Sequence, residues 1–335
     1  MAVRMKDIAD DLKVSVVTVS KVLRNQGDIS TETRRKVLKR AKELNYQPNW
    51  VARSLVTRKT FLVGLVCPDL MHSFFAEIAK AVSRKMRASG YNIVIAASEE
   101  DPELEKQEIE MLLARRVDGL IIASAQPPRQ TRIFKRIEDE KIPFVMIDRE
   151  LPGIKANFVG VNDETVGRIA TEHLIDKGYR RLAHIRGPEN ATGTGRLKGF
   201  QDACAARGIK VPAHWIIQGL FSDEEGYRAM QKLISKTPRP DGVVCYNDPV
   251  AAGAIKAALE AGLRIPEDIA VIGAGNIRYS DLLRVSLTTV DQNSSAIGEH
   301  AAELMLELIH SKKPLKPKTV LLEPKIVERS STAKA

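Results

Sequence analysis

The side chains best equipped for chemistry crowd the N-terminal end of the chain. Residues 1–60 hold 14 Lys and Arg against 6 Asp and Glu, a net of +8, while all 335 residues carry 52 against 42, or +10. The other 275 residues therefore add only +2. A compact cationic segment ahead of a nearly neutral body is the electrostatic footprint of DNA binding, because neutralised phosphates release their counterions. Within it, Lys21 can donate to guanine O6 and N7. Val16 and Val17 offer only apolar contact, best matched to thymine methyls, whereas Thr18, Ser20 and Asn25 suit phosphate oxygens. Catalytic constellations do not emerge. Six histidines are scattered without metal-ligand spacing, there is no Ser/His/Asp order, and Gly193-Thr194-Gly195 lacks the Lys-Ser/Thr of a phosphate loop. No cofactor, no metal and no enzymatic activity are expected.

The elements that must position these residues follow from periodicity. Met5, Ile8, Ala9 and Leu12 lie on one helical face. Lys13-Val14-Ser15 interrupts, and Ser15 is placed to cap a second helix over Val16–Leu23, with Val19, Val22 and Leu23 turned inward. Two short helices joined by a tight turn form a helix-turn-helix, whose second helix enters the major groove. A third helix begins at Ser30 or Thr31 and runs to about Leu44.

From Thr60 onward, apolar runs alternate with helical patterns. Leu62–Val66, Asn92–Ala96, Gly119–Ile122 and Phe144–Ile147 read as buried parallel strands, with helices at Phe75–Ala88, Leu104–Arg115 and Gln130–Glu140 between them. The rhythm restarts after Pro152-Gly153, with strands at Phe158–Val161, Leu182–Ile185, Trp215–Ile217, Gly242–Cys245 and Ile269–Ile272. It predicts two doubly wound α/β subdomains with a ligand crevice at the carboxyl ends of their strands. No run of 18 apolar residues can span a membrane, and the N-terminus lacks the apolar stretch of a signal peptide. Cys67, Cys204 and Cys245 read as buried thiols of a reducing, cytoplasmic compartment.

Asp7-Ile8-Ala9, Val14-Ser15, Thr18-Val19-Ser20 and Tyr46-x-Pro48-Asn49-x-x-Ala52-Arg53-Ser54-Leu55 resemble the N-terminal domain of the LacI/GalR family of bacterial repressors. One departure is Leu12-Lys13, where the family usually has Ala-Gly, so Lys13 must adopt the turn conformation that glycine takes freely. The resemblance implies that Val16, Val17 and Lys21 read bases. It also implies a hinge helix over Asn49–Val56 in which Leu55 wedges the minor groove, flanked by Asn49 and Arg53.

The resemblance continues almost to the end, through Pro68-Asp69, Phe74–Ile78, Ile147-Asp148-Arg149, Gly178–Arg181, Arg196–Phe200, Tyr246-Asn247-Asp248, Ile265–Ile269 and Leu287–Val290. It implies a body like the periplasmic sugar-binding proteins, an effector pocket, and a homodimer on a pseudo-palindromic double-stranded operator. Arg196 is the first pocket candidate, because a guanidinium suits carboxylates, phosphates or paired hydroxyls. Asp248 follows a strand as a hydroxyl acceptor or a helix cap, and Asp148 offers the same alternatives. Phe74, Phe75 and Phe221 can supply walls and Thr192 a hydroxyl contact, with Asn276 or His72 as the alternative source of the contact that the family's aspartate makes. Gly275 stands where the family often has a ligand-binding Asp, and an anionic effector such as an acid sugar or sugar phosphate is the resulting expectation.

The domain reading is an all-α helix-turn-helix domain at 1–48, a hinge at 49–59 and a two-subdomain α/β effector and dimerisation body at 60–335. The changeover is expected near 152–160, and the stretch from about 287 is expected to return to the first subdomain. The functional expectation is a repressor controlled by a small molecule. The alternative is an α/β ligand-binding protein or enzyme without operator specificity.

Overall fold

A computed structural model describes residues 3–24, 26–47, 54, 57–127 and 132–333. The chain forms two compact units, Met1–Thr60 and Phe61–Ala335. In the first, α1 (Met5–Leu12), α2 (Val16–Leu23) and α3 (Thr31–Glu43) enclose a small core of Ile8, Ala9, Val19, Val22, Val37 and Ala41. Lys13 ends α1 in the left-handed region at φ 52°, ψ 41°, as the turn demands. Ser15 then caps α2 by accepting from the Thr18 amide at 3.0 Å. Arg40 of α3 grips Asp11 at 2.6 Å and ties the third helix to the first.

The second unit is built on two six-stranded sheets. The first contains β1 (Leu62–Cys67), β2 (Asn92–Ala97), β3 (Gly119–Ile122), β4 (Phe144–Ile147), β5 (Asn157–Val161) and β11 (Thr319–Leu322) in the order β11-β5-β4-β3-β1-β2. All its pairings are parallel. The second contains β6 (Leu182–Arg186), β7 (Ile216–Gln218), β8 (Gly242–Cys245), β9 (Ala270–Ala274), β10 (Thr288–Asp291) and β12 (Lys325–Val327) in the order β12-β10-β9-β8-β6-β7. Only its β10–β12 pair is antiparallel.

Helices cover the sheets, as parallel strands require. α4 (Ser73–Ala88), α5 (Pro102–Ala114), α6 (Arg132–Asp139) and α11 (Ser294–His310) serve the first lobe. α7 (Asp163–Asp176), α8 (Ala191–Ala206), α9 (Asp223–Ile234) and α10 (Asp248–Glu260) serve the second. Cores run on both faces of each sheet, and Cys67, Cys204 and Cys245 are buried free thiols within them.

Two boundaries differ from expectation. β5 still pairs in the first sheet, so the changeover falls after Val161 rather than near 152–160. The stretch from Leu287 does not simply return to the first lobe: β10 and β12 complete the second sheet, while α11 and β11 join the first. An apolar strand pattern records burial but not which sheet does the burying, and this accounts for both differences.

Candidate functional site

Two sites arise, one in each unit. In the first, α2 presents Val16 and Val17 at its exposed N-terminal end, 42% and 62% accessible. Two solvent-facing valines on one short helix, with their neighbours Val19 and Val22 fully packed, mark a surface meant to be covered. Lys21 lies one turn beyond Val17 on the same face and pairs with Asp28. The hydroxyls of Thr18 and Ser20 already have local partners, Ser15 Oγ at 2.8 Å and the Arg24 guanidinium at 2.5 Å. Asn25, Asn49, Arg53 and Leu55 lie outside the described residues.

In the second unit, a cavity of about 310 Å³ opens between the carboxyl ends of the two sheets. Phe74, Phe75, Asp148, Arg196 and Phe221, all foreseen, line it. Phe74 and Phe75 open α4 and meet edge to face, with centroids 5.2 Å apart. Asp148 follows β4 with φ 62°, and the Arg149 amide donates to the Ile147 carbonyl at 2.6 Å across it. This γ-turn with positive φ is a rare, strained conformation, of the kind held where a side chain must be aimed. Burial pushes the Asp148 carboxyl up from the ordinary range, against the opposing pull of Arg149 and Arg196.

Arg196 projects from α8 and is nearly closed off from solvent. Its Nε donates to Asp163 at 2.8 Å, Nη1 to the Tyr246 carbonyl at 2.8 Å and Nη2 to Gln292 at 2.9 Å, and its guanidinium lies 4.9 Å from the Tyr246 ring centre. Burial outweighs the arginine's pull on Asp163 and pushes that carboxyl up to about 6. Gly199, in the same helix, permits this placement. A Cβ there would lie 2.0 Å from the Glu164 carbonyl oxygen, so α7 and α8 approach through the glycine.

Three foreseen residues do not line the cavity. Thr192 is buried and bonds Tyr246 Oη at 2.7 Å, so it acts behind the tyrosine. Asp248 neither caps its helix nor faces the ligand space. Asn247 is the cap, accepting from the Val250 amide at 2.9 Å. The Asp248 carboxylate instead receives Thr289 Oγ1 at 2.5 Å, Ser280 Oγ at 2.7 Å and the Ile277 amide at 3.0 Å, and so fastens the loop after β9. Asn276 is held by Arg329 at 2.8 Å. Gly275 takes φ 139°, a conformation that resists the aspartate expected there.

His72, the alternative to Asn276, also lines the cavity, and so do Asp69, Glu99, Glu100, Arg149, Tyr246 and Gln292, which the sequence does not single out as ligand contacts. Their common signal is position, since each follows a strand's carboxyl end. Glu100 holds Arg149 through two contacts of 2.6 Å. His72 Nδ1 accepts from the Phe74 amide at 3.3 Å, and burial lowers its pKa to about 4. Its Nε2 lies 3.5 Å from Asn247 Nδ2, across the cleft.

Residues 4–49 match bacterial regulatory proteins of the lacI family, and residues 171–332 match a periplasmic binding protein-like domain. Over 334 residues the chain is 37% identical to the HTH-type transcriptional repressor PurR of Klebsiella pneumoniae (strain 342), covering 98% of this chain and 96% of that one. The PurR of Escherichia coli O139:H28 (strain E24377A / ETEC) gives the same identity and coverage. The lac repressor dimer bound to operator and the anti-inducer ONPF superposes with TM-score 0.87 at 27% identity over 100% of both chains. A complex of the transcriptional regulator CelR with cellobiose does so with TM-score 0.74 at 27% identity, covering 98% and 99%. No helix among the described residues is long and apolar enough to cross a membrane. The chain belongs to the LacI family of bacterial transcriptional regulators, and is a DNA-binding transcriptional repressor rather than an enzyme.

Proposed function

We propose that residues 1–48 read the operator, that 49–59 form the hinge, and that the body from 60 onward binds an effector that is uncharged or cationic and rich in hydrogen-bond donors. In the head, Val16 and Val17 address thymine methyls and Lys21 a guanine, with Thr18, Ser20 and Asn25 on phosphates. Asn49, Arg53 and Leu55 supply the hinge contacts. In the body, Phe74, Phe75 and Phe221 flank the ligand, and Asp148, Arg196 and His72 bond its edges.

The charge balance of the cavity carries the ligand class and replaces the anionic effector expected from Gly275. Both cavity arginines are already matched by carboxylates, Arg149 by Glu100 and Arg196 by Asp163. Asp69, Glu99 and Asp148 remain without a matching cation at hydrogen-bond distance among the described residues. Asp148 comes no nearer to one than 3.6 Å, at Arg149 Nε. An entering phosphate or carboxylate would add a charge of the sign already in excess, inside a partly desolvated space.

Site selection from a random duplex pool, followed by calorimetry on the same protein, tests the proposal. The expected results are a palindromic site, and operator affinity that responds to neutral or amino-bearing rings while sugar phosphates leave it unchanged. Tight binding of a sugar phosphate, with no response to any neutral or cationic ring, would overturn the ligand class.

A further inference from the structure

The pairing of Lys21 with Asp28 is not required by anything in the fold of the head. Lys21 leaves the last turn of α2, and Asp28 sits in the bend before α3. The two side chains remain 35% and 60% accessible, so the pair is a surface feature rather than a packing element. The bend that carries Asp28 is nonetheless held in place. Gln26 donates its amide to the Lys21 carbonyl at 3.0 Å, Arg34 reaches the Gln26 carbonyl at 2.5 Å, and Ile29 packs on the core. Asp28 is thus presented to Lys21 by the backbone, on the face that also exposes Val17.

A carboxylate on a DNA-facing surface is unfavourable beside any phosphate. Its pairing with the lysine changes what that lysine can do. An ammonium has three donors, of which Asp28 takes one. A phosphate on arbitrary DNA carries a full negative charge, so whether Lys21 keeps Asp28 or leaves it, the carboxylate is brought close to a charge that repels it, whereas a guanine edge is neutral. To reach a guanine, Lys21 donates its two remaining protons to O6 and N7 with the pair intact. The pair therefore weakens binding to arbitrary sequence more than binding to a site with guanine at that position.

We propose that Asp28 is a specificity-determining residue that acts through Lys21, holding the ammonium back from phosphates and reserving it for a guanine edge. This rests on the assignment of Lys21 as a base reader. The test uses the full-length dimer, with anisotropy titrations across salt against a selected operator duplex and a scrambled duplex, for wild type, Asp28→Asn, Lys21→Ala and the double variant. Asp28→Asn should tighten scrambled binding several-fold and steepen its log–log salt slope by about 0.9, one added phosphate contact. Operator affinity should change less, so the ratio of the two falls. In the Lys21→Ala background the Asp28 substitution should lose most of this effect. Equal tightening on both duplexes, or an undiminished effect without Lys21, would reduce Asp28 to an ordinary surface charge and overturn the proposal. A Lys21→Ala variant with unchanged operator affinity would instead overturn the reading of Lys21 itself.

Discussion

Lys13 shows how a single residue can carry strain at a position where the chain needs a turn and has no glycine. Its left-handed backbone lets α1 stop and Ser15 begin α2, at a cost of about 1 kcal/mol for a residue with a Cβ. Lys13→Gly should therefore stabilise the first unit by up to about 1 kcal/mol, less the entropy glycine returns to the unfolded chain. Urea unfolding followed on this unit checks it, and a loss of stability would show that the lysine side chain contributes more than its backbone withholds. At the same scale, the candidate pocket was only partly legible. Asp148, placed by its strand end, and Arg196, placed by the family resemblance, both line the cavity. Asp248 occupies an equivalent strand end, yet its carboxylate folds back onto Thr289 and Ser280, and only the three-dimensional position of β10 reveals this. Tyr246 and Gln292 were missed because their role is to hold Arg196 from elements far apart in the chain.

At the scale of elements, close helix contact sets the pocket's depth. α7 and α8 meet through Gly167 and Gly199, where added Cβ atoms would each fall 2.0 Å from a backbone oxygen. Gly199→Ala should push the helices apart, costing about 1–3 kcal/mol, and should weaken effector binding because Arg196 rides on the displaced helix. Thermal unfolding and calorimetry on the same variant check this, and unchanged values in both would remove the glycine from the account. Most elements were legible from period alone, since buried parallel strands leave unbroken apolar runs and the helices between them are amphipathic. α11 is the element that period alone does not reveal. Its Asn293 cap accepts from the Ala296 amide at 3.3 Å, but its inner face is shared between α4 and the first sheet, which leaves a broad apolar surface without a sharp stripe.

Across the whole molecule, buried histidines and carboxylates pull stability in opposite directions with pH. His184 stacks on Phe200 at 5.0 Å, bonds the Val244 carbonyl through Nδ1 at 2.9 Å, and is lowered to about 4 by burial. His72 is lowered likewise. Below pH 6.5 the unfolded chain protonates these rings while the folded one does not, so their contribution is complete above 6.5 and is lost as pH falls toward 4. Asp163, raised to about 6, acts in the other sense: its contribution is present at low pH and is lost as pH rises through 6. The histidine part is isolated by comparing wild type with His184→Phe. Between pH 7 and 5, wild type should lose roughly 1–2 kcal/mol relative to the variant. Parallel urea stability profiles would show that the ring takes up its proton as readily in the fold as in the unfolded chain.

The three passages of the chain between lobes, at Val161–Asp163, Asp291–Ser294 and Leu322–Lys325, bear on how this architecture is inherited and broken. Because each sheet borrows strands from distant parts of the gene, neither lobe corresponds to a contiguous reading frame. A recombination event that exchanges one contiguous part within β5 to β12 builds sheets from strands of two parents that were never matched to one another. A frameshift after β10 removes α11 and β11 from one lobe and β12 from the other. A single backbone nick in one passage, by contrast, leaves two covalent tethers in place. The body is therefore robust to cleavage and fragile to truncation, and new ligand preferences in this architecture are reached more readily by point changes around the cavity than by exchange of lobes.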